Sequence, residues 1–254
     1  MKRTSSLVSA SVIVLSLTLA GQSFADINLG DLAGLWLFDE GTGNVIKDSS
    51  GNGNNGEFQK GPKWVDGKFG KALEFDGTPN YVIVPHHEIF NFGADDFSMG
   101  CWMNATNLDA YVVIKRNGGA SWWALSASID RDSGFFIFEG GGVHIDGGKT
   151  VIVKKGWHHC VAMRKEGTVY IYVDGEFEVE ANIPANMDTP APIKMGGWGS
   201  ENLSGGLDEV FIFKTGVTLD EKDIKTIFEK GWKQMFAVSP AGKLATAWGA
   251  IKVQ

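Results

Sequence analysis

Residues 204–231 read SGGLDEVFIFKTGVTLDEKDIKTIFEKG and contain the clearest local signals in the chain. Residues 207–213 are rich in β-branched and aromatic side chains, and both parities are apolar except for Asp208 and Glu209 near the start. An apolar run of this length without period-two alternation predicts a strand that is buried on both faces.

An amphipathic helix is predicted directly after this strand. Thr218 stands three residues before Glu221, the spacing of a capping box, and Gly231 follows the last apolar position as a C-cap. One side of the helix carries four apolar residues, Leu219, Ile224, Ile227 and Phe228. Because a single helix cannot bury such a stripe alone, we expect it to lie across a sheet that the preceding strand closes.

The N-terminus has the pattern of a secretory signal peptide. Lys2 and Arg3 precede an apolar run over residues 7–20, and Ser23-Phe24-Ala25 forms a small-x-small cleavage site. The alternative is a retained membrane anchor, but a run of about 14 residues is shorter than the roughly 20 that span a bilayer. We therefore expect residues 1–25 to be cleaved, which places the mature chain in the periplasm, on the cell surface or in the medium, with no membrane span left.

Composition narrows the fold class and the partners. The formal charge is −7 for the whole chain, and loss of the two signal-peptide cations makes it −7 − 2 = −9. An acidic chain without a Lys/Arg cluster argues against nucleic acid and anionic membranes as partners. With 34 Gly, 9 Trp and 16 Phe among short apolar runs, an all-β, two-sheet antiparallel sandwich is expected over residues 26–232, with one short C-terminal helix. Residues 233–254 are expected to form a tail outside the core.

Five segments of the chain carry a family resemblance. They are GLWLFDEGTGNVIKDSSGNGNNG from Gly34, KALEFDGTPNYVIVP from Lys71, FSMGCWM from Phe97, WHHCVAMRKEGTVYIYVDGE from Trp157 and GGLDEVFIFKTGVTLDEKDIKTIF from Gly205. In this order they resemble the laminin G-like branch of the concanavalin A-like jelly rolls, as found in secreted bacterial proteins. The resemblance covers residues 32–231. It implies a jelly-roll sandwich, often with one structural calcium ion, that binds a glycan or a protein, and it does not by itself imply catalysis.

A polar loop over residues 48–56 is the candidate calcium site. Its Gly and Asn residues can turn carbonyl oxygens inward, and calcium prefers six to eight oxygen ligands. In the resembled family the first and last strands lie side by side, which would bring Asp208 and the end of the first strand to this loop. We expect Ca²⁺ to be held by Asp48 and Asp208, with Glu40 as a further ligand. The alternative is that Asp48 caps an Asx-turn and Asp208 accepts hydrogen bonds from backbone amides.

Cys101 and Cys160 are the two cysteines of the chain, and export would expose them to an oxidising compartment. Pentraxins, which belong to the resembled superfamily, join the two corresponding strands by a disulfide. Here each cysteine is displaced by one residue from that pattern, so both side chains turn to the opposite face and a pair remains possible. A disulfide is expected, and its loop of about 60 residues would stabilise the fold by roughly 4 kcal/mol in the chain-entropy model. Two buried free thiols are the alternative.

The candidate ligand-binding residues centre on Trp122. In the predicted strand over residues 121–129, Trp123 and its parity partners are expected in the core, whereas Trp122 leads the small polar residues of the other parity. An indole followed by small residues could open onto a shallow groove for a sugar, although burial is the commoner fate of a tryptophan. Four further residues lie in segments that could border this groove: Tyr111, Arg116, Trp198 and His144.

Catalytic motifs are weak in this sequence. Laminarinase-like members of the superfamily place Glu-x-Asp-x-(x)-Glu on one strand, and the nearest match is Glu176, Glu178 and Glu180, which lacks the central Asp. A solvated strand face is the simpler interpretation of these three residues. We expect a non-catalytic module that binds an extracellular glycan or glycoprotein. A protein-adhesion or surface-assembly module is the alternative, and a glycoside hydrolase is the third possibility.

Overall fold

Two sheets, one α-helix and two short 3₁₀-helices, Leu29–Asp31 and Glu88–Phe90, make up the computed structural model, which describes residues 27–128, 133–146 and 148–238. In chain order the elements are β1 (Leu32–Trp36), β2 (Val45–Ile46), β3 (Gly56–Gln59), β4 (Lys63–Asp66), β5 (Lys71–Asp76), β6 (Tyr81–Val84), β7 (Phe97–Ala105), β8 (Ala110–Lys115), β9 (Trp123–Ala127), β10 (Phe136–Gly140), β11 (Val143–Ile145), β12 (His158–Lys165), β13 (Thr168–Val173), β14 (Glu176–Asn182), β15 (Ile193–Met195), β16 (Gly197–Trp198), β17 (Glu201–Asn202), β18 (Ser204–Phe213) and α1 (Glu221–Val238).

The strands form two layers. Sheet A has the order β14-β13-β12-β7-β18-β5-β4, and β1 also pairs with β18. Sheet B has the order β11-β10-β9-β8-β15-β6-β3-β2, and the β16–β17 hairpin joins it at β8. The named strands pair antiparallel except for a single parallel bridge between β17 and β8. The expected jelly-roll sandwich is confirmed.

Strand β18 joins the two ends of the fold. Its last residues pair with β1, where Leu35 lies opposite Phe211, and its first residues pair with β5. Every residue from Leu207 to Phe213 is buried, including the two carboxylic acids at positions 208 and 209. The predicted strand and its pairing with the first strand are therefore confirmed.

The helix follows as expected, but its ends differ from the prediction. Asp220 caps the first turn, because its Oδ1 accepts a 2.7 Å hydrogen bond from the Asp223 amide, and the Asp223 carboxylate accepts one from the Asp220 amide in return. This pair replaces the predicted box of Thr218 and Glu221. Gly231 has φ 65° and ψ 163° and interrupts the helix, which resumes through Val238.

The helix covers the outer face of sheet A. Its apolar residues pack there with outward-facing side chains of the strands, in a cluster that includes Val161, Met163, Tyr172, Phe211, Leu219, Ile224, Ile227, Trp232 and Met235. Trp232 and Met235 lie beyond the interruption, so the segment after Gly231 still contributes to this layer. The core between the sheets is separate and contains side chains of both, among them Trp36, Phe97, Trp123 and Phe138.

Some segments pair only weakly or lack an apolar pattern. Residues 150–153 make only an isolated bridge between Val151 and Phe135. Neither β4 nor β11 has a long apolar run, and strand pairing rather than local sequence defines them. Within the described residues, no helix has the length and apolar character needed to span a membrane.

Candidate functional site

The outer face of sheet B carries a polar and aromatic cluster. In β9, Trp123, Leu125 and Ala127 belong to the core, as their shared parity predicts. Trp122 and Ala124 point to the opposite face, where they pack with Tyr111 and the partly buried Trp198. The parity prediction for this strand is confirmed over the described residues, whereas Ile129, expected on the core side, lies outside them.

Arg116 stands between two indole rings in this cluster. Its guanidinium carbon lies 4.2 Å from the ring centroid of Trp122 and 4.7 Å from that of Trp198. Tyr111 meets both indoles edge-on at centroid distances of 6.4 Å. Cation–π contacts with both rings hold the guanidinium in place. We call these four residues the aromatic–arginine cluster.

Local backbone structure brings the four side chains together. Arg116 directly follows β8 and Trp122 directly precedes β9, so the connection between two paired strands sets both at one end. Its turn requires Gly118, whose φ is 90°. Trp198 arrives from the β16–β17 hairpin, which is held to β8 by the pairing of Asn202 with Tyr111.

Glu139 links the aromatic–arginine cluster to His144. The Glu139 side chain is fully buried, and its Oε1 accepts a 2.6 Å hydrogen bond from Ser126 Oγ. Its Oε2 accepts a 3.4 Å hydrogen bond from Tyr111 Oη and lies 3.3 Å from Nδ1 of His144. Tyr111 Oη also accepts a 3.4 Å hydrogen bond from Nη1 of Arg116. All five predicted ligand-binding residues are thus joined in one network.

Sequence reasoning missed Glu139 and Ser126 as members of this network. A signal was present, because Glu139 shares the parity of Ile137 in a short apolar strand and a carboxylic acid there needs a partner. The register supplies that partner set, since Glu139 lies opposite Ala124 in β9 and opposite His144 in β11. Because the sequence does not give the register of β9, β10 and β11, it could not predict which residues lie opposite Glu139.

Trp122 is less accessible than expected for a sugar platform. Only 6% of its surface is exposed, and Arg116 covers one face of the indole. Trp198 and Arg116 are half-buried, and a third of the His144 side chain is exposed. A ligand approaching the cluster would therefore meet the half-buried Arg116 and Trp198 and the imidazole of His144, rather than an open face of the Trp122 indole.

The three predicted calcium ligands each accept hydrogen bonds from backbone amides. Asp48 Oδ1 accepts from the amides of Leu35 and Ser50, at 3.0 and 2.9 Å, and its Oδ2 accepts from the amide of Asn54 at 3.0 Å. Glu40 Oε1 accepts a 2.8 Å hydrogen bond from the amide of Lys47. This is the loop-anchoring role that was left open as the alternative for Asp48.

Asp208 serves a similar anchoring role at another loop. Its Oδ2 accepts a 3.0 Å hydrogen bond from the amide of Phe69. Burial raises the Asp208 pKa to about 7, and burial together with the Asp208 charge raises the pKa of Glu209 to about 8. Among the described residues, no group of three or more His, Cys, Asp or Glu side chains could hold a metal ion. Calcium at Asp48, Asp208 and Glu40 stays a prediction.

The two cysteines lie directly opposite each other on two neighbouring strands of sheet A. Cys101 in β7 pairs with Cys160 in β12, and both side chains are buried in the core as free thiols. Burial raises the pKa of both thiols. The opposed positions keep a cross-strand bond geometrically open, and the disulfide itself stays a prediction.

The acidic strand β14 is not a uniformly solvated face, so that interpretation was wrong for one residue. Glu178 is buried, and its carboxylate accepts hydrogen bonds from the amides of Lys149 and Thr150 and from the Thr150 hydroxyl. Glu176 and Glu180 are exposed. Because the Glu178 carboxylate accepts hydrogen bonds that hold a loop, this strand does not present the set of free carboxylates that the laminarinase-like motif requires.

Comparison with solved structures finds the same fold in binding domains and in larger enzymes. The binding domain of Paraclostridial Mosquitocidal Protein 1 is 22% identical with a TM-score of 0.63, over 79% of this chain and 52% of that one. Domain 4 of AbnA, an extracellular arabinanase from Geobacillus stearothermophilus, was solved with arabinotriose and is 19% identical with a TM-score of 0.64, over 77% and 97% of the two chains. Trypanosoma rangeli sialidase is 16% identical with a TM-score of 0.60, over 85% and 35%. This chain thus spans about half of the toxin domain and a third of the sialidase.

Sequence comparison identifies the family. No curated protein sequence matches the chain significantly. The Laminin_G_3 family model, described as Concanavalin A-like lectin/glucanases superfamily, matches residues 76–225. That match covers more than half of the chain and includes the whole aromatic–arginine cluster and strand β18. The chain belongs to the Concanavalin A-like lectin/glucanases superfamily.

Proposed function

We propose that this chain is a secreted, non-catalytic module that binds an extracellular glycan or glycoprotein at the aromatic–arginine cluster. One observation carries the proposal. Tyr111, Arg116, Trp122, Trp198 and His144 come from separate segments, and the fold joins them on the face of the sandwich that the helix does not cover.

The chemistry of the cluster suits a saccharide. Sugar rings present apolar C–H faces beside hydroxyl groups, so their sites combine aromatic rims with polar side chains. Here the half-buried Trp198 supplies the rim, and Arg116 and His144 supply hydrogen-bonding groups beside it. The solved neighbours support the same class of function, because they include toxin binding domains and a domain crystallised with arabinotriose.

A glycan array with the purified chain tests the proposal, and Trp198→Ala is the informative variant. We expect at least one saccharide hit and an affinity loss of about tenfold or more in the variant, since a central aromatic anchor typically contributes above 1 kcal/mol. Trp64→Ala is the matched control, because Trp64 is also partly buried but packs on Phe58 at a sheet edge away from the cluster. Equal binding by wild type and Trp198→Ala would contradict the assignment of the site.

The alternatives would give different results. A protein-adhesion module would leave the array silent and would bind an extracellular protein that carries no glycan. A glycoside hydrolase would release reducing sugar from a β-glucan, and the engagement of Glu178 in loop anchoring argues against that activity.

The structural calcium ion is a separate proposal. Two features support it: Asp208 Oδ1 and Glu40 Oε2 are both buried without a hydrogen-bond partner in the described structure, and an oxygen-rich loop follows Asp48. Such carboxylate oxygens suit a hard cation. A thermal melt with and without a chelator, together with elemental analysis of the purified protein, tests it.

A further inference from the structure

We infer that the saccharide bound at the aromatic–arginine cluster is anionic and that Arg116 binds its carboxylate or sulfate group. This inference rests on the proposed function and adds the chemical class of the ligand. Its basis is the guanidinium group of Arg116, which two indoles position and which forms no ion pair with an acidic side chain of the described residues.

Two cation–π contacts position the Arg116 guanidinium. The guanidinium carbon lies over both rings, 4.2 Å from the centroid of Trp122 and 4.7 Å from that of Trp198. All five N–H donors of a guanidinium lie in its plane. Planar presentation of this kind matches a carboxylate or a sulfate, which can accept two parallel hydrogen bonds.

The donors of Arg116 are poorly used by the protein. Its hydrogen bond to a described residue is the one from Nη1 to Tyr111 Oη, which is long at 3.4 Å. The buried Nε–H has no acceptor among the residues that the structure describes. Arg116 forms no ion pair with any side chain in the described parts of the chain. An anionic ligand would instead pair with the Nη groups of this cation, since a hydrogen bond that involves a charged group contributes more than one between neutral groups.

The nearby carboxyl group does not fill this role. Glu139 is fully buried, and its oxygens lie against Ser126, Tyr111 and His144. The Tyr111 hydroxyl lies between the two, because it accepts a hydrogen bond from Arg116 and donates one to Glu139. Among the described residues of the cluster, Arg116 is therefore the cation that a ligand would meet.

The net negative charge of the whole chain limits the binding of an acidic sugar to the local site. The chain has 23 Lys and Arg against 30 Asp and Glu, so a polyanion gains no general attraction to its surface. Binding of an acidic sugar must then depend on the local contact with Arg116. This predicts recognition of one acidic residue within a glycan rather than salt-sensitive binding along its whole length.

Isothermal titration with matched saccharides tests the inference. The probes are an oligogalacturonate, the same oligosaccharide after chemical reduction of its carboxyl groups, and a sulfated galactan oligosaccharide. We expect wild type to bind one anionic probe at least about tenfold more tightly than the neutral reduced form. Whether the carboxylate or the sulfate probe binds identifies the acidic group.

Two variants assign the effect to the guanidinium. Arg116→Gln should abolish the preference for the anionic probe, and Arg116→Lys should keep part of it, because the charge remains but the planar fork is lost. Lys194→Gln is the matched control, since Lys194 also stacks on an aromatic ring of sheet B, that of Tyr81 at 4.5 Å. Near-ultraviolet circular dichroism verifies that each variant keeps the native fold.

Three results would overturn the inference, and they differ in what else they overturn. Equal affinity of wild type for the oligogalacturonate and its reduced form, without binding of the sulfated probe, would refute the anionic class and leave glycan binding intact. An unchanged preference in folded Arg116→Gln would refute the role of Arg116. Failure of every neutral and anionic saccharide to bind would refute the proposed function together with this inference.

Discussion

Substitution of Asp208 by Asn should change how the stability of the protein depends on pH. Asp208 is fully buried in β18, and burial raises its pKa from 3.8 to about 7. A carboxylic acid whose pKa is higher in the folded state stabilises the fold while it is protonated. That contribution is complete below pH 4 and is lost as the pH rises through 7.

The magnitude follows from the size of the pKa shift. Each pH unit between the unfolded and folded pKa values corresponds to about 1.4 kcal/mol, so wild type should lose about 2–3 kcal/mol from this residue between pH 5 and pH 8. Asn cannot ionise and still offers an oxygen to the Phe69 amide. Its added NH₂ group imposes a cost of about 1 kcal/mol that does not vary with pH. The variant should therefore gain about 2–3 kcal/mol relative to wild type over this range.

The assay is urea unfolding followed by tryptophan fluorescence at pH 5, 6, 7 and 8, with a chelator present. The difference between variant and wild type is the quantity to plot, because His159 acts with the opposite sign. Burial lowers the His159 pKa to about 3, so its contribution is lost as the pH falls below 6.5. Asp66→Asn is the control, since Asp66 is an exposed carboxylate paired with Lys71. A stability difference between Asp208→Asn and wild type that stays constant within about 0.5 kcal/mol over this range would refute the burial argument.

Three further predictions follow from other parts of the molecule. Gly100→Ala should destabilise the fold by about 2–3 kcal/mol in a urea titration, because a Cβ there would lie 2.6 Å from the carbonyl oxygen of Cys160. In the control Gly119→Ala the new Cβ would meet only a flexible side chain, so the free energy of unfolding should change by less than about 0.5 kcal/mol. Equal effects of the two substitutions would contradict the packing argument. If the predicted disulfide forms, protein refolded under oxidising conditions should have no reactive thiol when denatured and two after reduction; two thiols before reduction would rule out the bond. The calcium prediction requires a lower melting temperature in chelator and a smaller chelator effect in Asp48→Ala, and it fails if chelator changes nothing and no metal is found.

The aromatic–arginine cluster shows which features of a site can be predicted from the sequence pattern of its strands. Period-two alternation around Trp122 correctly separated core-facing from outward-facing side chains, because adjacent strand residues must point to opposite faces. The same pattern carries no information about which strands lie next to each other. Glu139 was therefore missed, since its partners in β9 and β11 are fixed by strand register.

The sequence at the start of the helix contains two possible capping boxes. The spacing of Thr218 and Glu221 and that of Asp220 and Asp223 both satisfy the capping-box distance, although only the first pair has the typical residue types. The structure uses the second pair. The helix begins at Glu221, and its apolar face packs on the outer side of sheet A. We infer that this packing, rather than the local sequence, determines which of the two pairs caps the helix.

The sequence by itself determined the layer architecture, because strand burial and helix amphipathicity are properties of short segments and limit the chain to a sandwich with one covering helix. It also determined that β18 is buried on both faces. Only the tertiary structure decided that two indoles enclose Arg116 and that Asp208 is buried beside a loop amide. Those features depend on contacts between residues far apart in the chain, and such contacts are set by strand order and register rather than by any local pattern.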